Sequence, residues 1–517
     1  MAINCDIWNI LSSTWLTLAI FCVDLCFVNE YLFGSLIFNK ILNMNTYEEL
    51  EKRNLALKKE RLSGMGDDVM KEKMLKILAE DKAIRAVTAC FTDMEGRFQM
   101  LDYDKKYVLN SFDNLTFDGS SIKGFTAQKE SDLRLKFDWS SVRWLPADIF
   151  GDGKVLIFAN VCDRNGELYD GDFRAHLARL SGDLKRDGII VNVAPEIEGF
   201  IFKGVQAEQN YDEKNGFELA SMSGYFNCLP QDDLRLFIDK LACVKRALGF
   251  ENEKDHPEVA PAQFELNYKY SIALDSADQV QLYKLCARQV AKAMGLTACF
   301  LPKPIAGMNG SGMHTNISLM KNDKNIFYSK TEKDHLSDIA HKFLTGVLYY
   351  ANDICLTMNS SVNSYRRLDP AFEAPNEIKV SEIDRGSMIR IPIGNEKSAR
   401  IEVRTVAPDA NPYLSLYVIL KAGLKGMSAG KAEYEKYRHY VYGKKVHVLP
   451  GNIYDAISLF EKSKFMVEVM GEWNCKKYVA LKKRQADRCP CALGTRVKSG
   501  EILYHHEITN QLLWNNF

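Results

Sequence analysis

Apolar residues recur along this chain with two periods, and the changes of period mark its elements. From Tyr47 to about Lys82 a charge-rich stretch carries leucines at 50, 55, 57, 75 and 78, which predicts one or two surface helices broken near Gly64-Met65-Gly66. The segment IRAVTACFTDMEGRFQMLDY (84–103) then sets β-branched and aromatic residues on both sides of Asp93-Met94-Glu95-Gly96, a hairpin signal. A second strand-rich stretch, 154–169, closes a small N-terminal domain. The pattern turns helical from about Asp170 to Asp187 and predicts a strand in IIVNVAPEIEGFIF (189–202). Two long helical patterns follow at 232–250 and 278–296, with strand-like segments at 258–268, 299–302, 312–319, 386–393 and 400–406. Mixed elements with acids inside the strands predict an α+β catalytic domain, with no internal repeat or low-complexity linker.

The first 43 residues read differently. Seventeen uncharged, mostly apolar residues lie between Asp6 and Asp24, short of the ~20 that span a bilayer, and no Lys or Arg precedes them. This is a poor anchor and a poor signal peptide. Met44 opens an ordinary polar segment, which leads to the expectation that translation starts there and that 1–43 is an upstream extension.

Composition narrows the function. With 67 basic and 67 acidic residues in 517, the chain lacks the charge excess of a nucleic-acid binder, so no nucleic-acid partner is expected. The 13 cysteines are scattered, and the only close pair, Cys489-Pro490-Cys491, has the wrong spacing for zinc; reduced, buried thiols in a cytoplasmic protein are expected.

Candidate chemistry sits in the strands. Glu196 and Glu198 are two apart on a strand and share a face, with Ile189, Val191, Val193, Phe200 and Phe202 around them. Glu258 and Glu265 flank a turn at Pro261, and Glu402 alternates with Arg400 and Arg404. Five carboxylates in apolar strands need a counter-charge. Carboxylates joined by one imidazole, His314, suit Mg²⁺ or Mn²⁺ better than Zn²⁺. Gly307, Gly310 and Gly312 before His314 would let backbone amides approach a small ligand, although the run matches neither a phosphate loop nor a dinucleotide fingerprint. Arg366, Arg367, Arg385, Arg390, Arg400 and Arg404 crowd residues 363–404, either paired with Asp369, Glu382 and Asp384 or held as forks for phosphate. Acids for cations beside arginine forks describe phosphoryl transfer.

Eight motifs in order carry a resemblance: FDGSSIKGF (117–125), ESDLRL (130–135), PEIEGF (195–200), HPEVAPAQFE (256–265), KPIAGMNGSGMHTN (303–316), NSYRRLDPAFEAP (363–375), RGSMIRIP (385–392) and RIEVRTVAPDANPYL (400–414). From about Met44 to at least Phe465 the chain resembles the type I glutamine synthetase family, with the first 43 residues and the segment after about Leu481 outside the match. The resemblance implies a small N-terminal β-grasp-like domain (44–168) and a large catalytic domain (169–517) with a curved antiparallel sheet and surrounding helices. It implies a cytoplasmic ligase joining ammonia to L-glutamate with ATP, through a γ-glutamyl phosphate. Glu198, Glu258 and Glu265 would hold one metal ion, and Glu196, His314 and Glu402 another. Arg385, Arg390, Arg400, Ser318 and Phe226 would bind ATP, and Asn309, Gly310, Arg367, Arg404 and Ser121 would fix substrate. Glu373 would close over the intermediate with Arg385 beside the phosphate. Asp118 would complete an ammonium pocket from the neighbouring subunit, in a homo-oligomer of two stacked six-membered rings.

The chain departs from the family at Gly199, where an aromatic is usual, at Phe264 in place of Asn or His, at Ala371 in place of Gly, and at Asp384-Arg385-Gly386 in place of Asn-Arg-Ser. These bear on substrate identity. A γ-glutamyl-amine or polyamine ligase and a catalytically silent homologue are the alternatives; Asp118 favours ammonia, and the intact acids disfavour a silent scaffold.

Overall fold

The computed structural model describes residues 46–205, 207, 217–227, 230 and 232–487. The expected N-terminal extension and the Cys489/Cys491 pair lie outside them. Among the described residues no helix is long and apolar enough to cross a membrane.

The predicted break at Gly64–Gly66 separates helices Tyr47–Leu62 and Asp67–Glu80. They are not purely surface elements: Leu57, Met70, Met74 and Leu78 are buried on their inner faces. The hairpin is present as β1 (Ala86–Thr92) and β2 (Phe98–Asp104), antiparallel about the turn at Asp93–Gly96. Asp93 shapes that turn by accepting the amides of Glu95 and Arg97. With β3 (Leu115–Asp118), β4 (Asp132–Phe137), β5 (Arg143–Trp144) and β6 (Lys154–Cys162) it forms a six-stranded sheet, ordered β2-β1-β6-β4-β3 with β5 paired to β6.

The second sheet has ten strands, and its spine is the long strand β7 (Ile189–Lys203). Around it come β8 (Asn252–Pro257), β9 (Gln263–Tyr268), β10 (Ser271–Ile272), β11 (Leu296–Cys299), β12 (Met313–Lys321), β13 (Lys324–Asn325), β14 (Glu377–Ser381), β15 (Ser387–Arg390) and β16 (Ile401–Val403). The order is β14-β15-β16-β12-β7-β9-β8, with every pairing antiparallel except β14–β15. The two patterns read as long helices are Asp233–Ala247 and Ala273–Ala293, and the stretch from Asp170 to Asp187 is Phe173–Arg186. Aspartates cap two of them, Asp172 accepting from Arg174 and Ala175, and Asp232 from Arg235. These helices pack on β7 and β9, so that the other face of the sheet is left for polar groups.

A buried ion network ties the parts together. Arg174 binds Asp138 at 2.7 Å and Asp278 at 2.8 Å, while Arg61 and Arg143 meet Asp275 at 2.9 and 3.3 Å. Asp138 and Arg143 belong to the small sheet's side, Asp275 and Asp278 to the helix behind the large sheet. The described cysteines form no disulfide and are buried except Cys243, which is exposed; its place on the outer side of a helix was not legible from scattered spacing.

Candidate active site

Sheet register brings the acids together. His314 lies opposite Glu196 in the β12–β7 pair, Glu198 opposite Glu265 in β7–β9, and His256 opposite Glu265 in β8–β9. Asn316 and Arg390 each lie opposite Glu402. Positions two apart share a face, so these side chains all project to the same side. His314 Nδ1 is 3.7 Å from Glu196 and 3.6 Å from Glu402, and its Nε2 is 3.8 Å from Glu198. His256 Nε2 is 3.8 Å from Glu265. A cavity of about 220 Å³ opens over them, lined by all six expected metal-site residues together with Asn309, Gly310, Arg367, Glu373, Arg385, Arg390, Arg400 and Arg404.

Charge is unevenly balanced across this face. Burial pushes Glu258 up to about 8, reinforced by the charge of Glu198, and pushes Glu265 well above the usual carboxylate range with Glu198, Glu196 and Glu258 adding to it. Burial would also raise Glu196, but His314, Asn316 and Lys254 outweigh it and hold the group at about 2. Among the described residues, two groups offer ligand atoms mutually within 4.8 Å, Glu196–His314–Glu402 and His256–Glu258–Glu265. Hard oxygen donors, one imidazole each and unrelieved mutual repulsion fit divalent cations of the Mg²⁺ or Mn²⁺ kind.

Of the glycines before His314, Gly310 and Gly312 lie against neighbouring groups of the site, while a Cβ at Gly307 would meet open space. The Gly312 amide donates to Glu198 Oε2 at 2.8 Å, and a Cβ at Gly312 would sit 2.7 Å from the Arg367 guanidinium. These two glycines allow close packing inside the site, which fixes a carboxylate and an arginine. Arg367 is buried and donates to the carbonyls of Thr405 and Arg404 at 3.1 and 2.8 Å. Arg390 and Arg404 both bind Glu402, at 2.5 and 2.6 Å, and Arg400 donates to Asn316 at 2.9 Å. Asp384 pairs with Lys379 at 3.0 Å and accepts the Gly386 amide, in place of an arginine partner. Asn309 reaches Glu373 Oε2 at 3.2 Å.

Four expected residues do not line this cavity. Ser318 lines an adjoining one. Phe226 is exposed, stacked on Tyr225 and edge-on to His256 at 5.0 Å. Asp118 ends β3, exposed, and accepts from the Ser121 hydroxyl at 2.5 Å. Sequence reasoning passed over His256 and Gln263, which alternate with Glu258 and Glu265 in the same motif; Gln263 bridges Glu198 and the Gly310 carbonyl at 3.4 and 3.1 Å.

The family model "Glutamine synthetase, beta-Grasp domain" matches residues 83–164, and "Glutamine synthetase, catalytic domain" matches residues 170–494. The chain belongs to the glutamine synthetase family. The match runs past Leu481, the expected end of the resemblance. A glutamine synthetase of Halobacterium salinarum is 35% identical over 409 residues, 76% of this chain and 88% of the relative, and one of Clostridium saccharobutylicum is 33% identical over 426 residues, 79% and 94%. In fold the chain is similar to a Plasmodium falciparum glutamine synthetase solved by cryoEM, with TM-score 0.74 and 22% identity over 82% of this chain and 97% of that one. It is also similar to GmaS in a complex with ADP, with TM-score 0.69 and 24% identity over 83% and 99%. The chain is thus an enzyme of a ligase family, with a β-grasp domain and a curved sheet backed by helices.

Proposed function

We propose that this ligase joins ammonia to the γ-carboxyl of L-glutamate, using ATP to form a γ-glutamyl phosphate. The observation that carries the proposal is the convergence, in one cavity, of acids suited to two cations, an arginine group suited to phosphate, and Glu373 held by Asn309. Glu196, His314 and Glu402 would hold one divalent ion, and Glu258 and Glu265 with Glu198 or His256 a second; when bound, such ions offset the charge of the nucleotide's phosphates.

Arg385, Arg390 and Arg400 receive the phosphate oxygens of ATP, while Arg367, Arg404 and the Asn309–Gly310 backbone orient glutamate. The glutamate γ-carboxylate attacks the terminal phosphorus and ADP leaves. Glu373, on the turn after Pro370–Phe372, excludes water from the acyl phosphate and accepts a proton from ammonium. The ammonia so formed attacks the γ-carbonyl carbon, forming the C–N bond as the acyl–phosphate bond breaks and phosphate leaves. Asp118 is exposed at the end of β3, so its place in an ammonium pocket requires a neighbouring chain; with Ser121 it is supplied in trans within a ring-forming homo-oligomer, two hexamers stacked. The domain boundaries that accompany this proposal are 44–168 and 169–517.

The test is ATP-dependent phosphate release from glutamate with ammonia, and separately with ethylamine or putrescine. Release with ammonia is expected; release with amines only would replace ammonia by an amine as substrate, and no release would leave a silent homologue.

A further inference from the structure

We propose that Lys254 is a further nucleotide-binding residue, stationed at the junction of two cavities to meet the phosphates of ATP. The inference rests on the ATP-dependent reading of the site.

The inner cavity, about 220 Å³, holds the acids. Ligand sites for molecules of nucleotide size run about 300–1,000 Å³, so the inner cavity alone is too small for ATP together with glutamate. A second cavity of about 300 Å³ adjoins it, lined among others by Asn192, Tyr270, Ser318 and Lys397. Glu196, Lys254 and Arg400 line both. A nucleoside triphosphate with its base and ribose in the outer cavity carries its phosphates past this junction.

The two cations there differ in mounting. Arg400 is held, donating from Nε to Asn316 at 2.9 Å and from Nη1 to the Ser398 carbonyl at 3.1 Å. Asn316 in turn donates to Glu196 at 2.9 Å. Lys254 lies two residues before His256, where the β8–β9 register shifts between Asn252 and Asp255, and it lines both cavities, yet it is exposed and makes no hydrogen bond or ion pair among the described residues. Its charge still reaches Glu196 and His256. An ammonium without a fixed partner, on a flexible stem beside a held guanidinium, can follow a phosphate that shifts as the terminal group leaves. A Lys254 serving only to balance Glu196 would not discriminate nucleotide from glutamate, and that difference is measurable.

The experiment uses the full-length enzyme with Lys254→Gln, Lys254→Arg and, as comparator, Arg400→Gln. ADP affinity is measured by calorimetry, and the KM for ATP and for glutamate by phosphate release. Lys254→Gln is expected to weaken ADP and raise the ATP KM about tenfold, the size of one charge-assisted contact, with glutamate KM and melting temperature unchanged and recovery in Lys254→Arg. Unchanged ADP affinity in Lys254→Gln while Arg400→Gln loses it overturns the role of Lys254 alone. A rise in glutamate KM in place of ATP KM also overturns it. Absence of ADP binding to the unmodified enzyme overturns the ATP-dependent reading itself.

Discussion

Glu373 has φ 61°, a left-handed backbone that residues with a Cβ seldom adopt, and such strain gathers at functional turns. Its carboxylate is met by Asn309 from the loop before His314. Glu373→Ala is expected to lower phosphate release at least about a hundredfold, the usual share of a proton acceptor, while ADP still binds; calorimetry and turnover on the same preparation check both. Elsewhere, Lys245 and Lys284 are buried, and burial brings each ammonium down to about 7. Between about pH 7 and 10 the unfolded chain therefore holds protons that the folded chain has released. Their contribution to stability rises with pH through that window and is lost as pH falls toward 7. Lys284→Met is expected to reduce the slope of unfolding free energy, measured in urea, by up to about 1.4 kcal/mol per pH unit.

At the scale of elements, two departures from the family explain each other. Gly199 lies opposite Phe264 across β7 and β9, and a Cβ at Gly199 would sit 2.7 Å from the Phe264 ring. Phe264 packs edge-on against Phe237 and Phe300, on the face away from the acids. The aromatic bulk expected at 199 has moved to the facing strand, so the swap bears on the core and leaves the ligand face intact. Gly199→Trp alone is expected to cost roughly 2 kcal/mol or more through overpacking, and Phe264→Asn alone about 3; the double variant should be more stable than their sum, by thermal melting. Helices differ in how far their pattern could be read. Phe173–Arg186 and Asp233–Ala247 bury one side and show the helical period. Pro412–Ser428 is buried nearly all round and shows none, so the sequence pattern alone did not announce it.

For the whole molecule, Asp118 and Glu373 stand apart, the first outside the cavity and the second lining it. If neighbouring chains complete each other's sites, inactive Asp118→Ala and Glu373→Ala subunits, mixed and reassembled, recover part of the activity; no recovery would place both residues' action within one chain. By itself the sequence determined the α+β class, the principal strands and the acids on them, because alternation along a strand is local. It also carried the motifs that mark the family. Only the tertiary structure decided that His256 stands beside Glu265, that Arg390 reaches Glu402 from the neighbouring strand, and that Gly199 answers Phe264. Those contacts depend on the register between separate strands, and register follows from how the whole sheet packs on its helices rather than from any one segment.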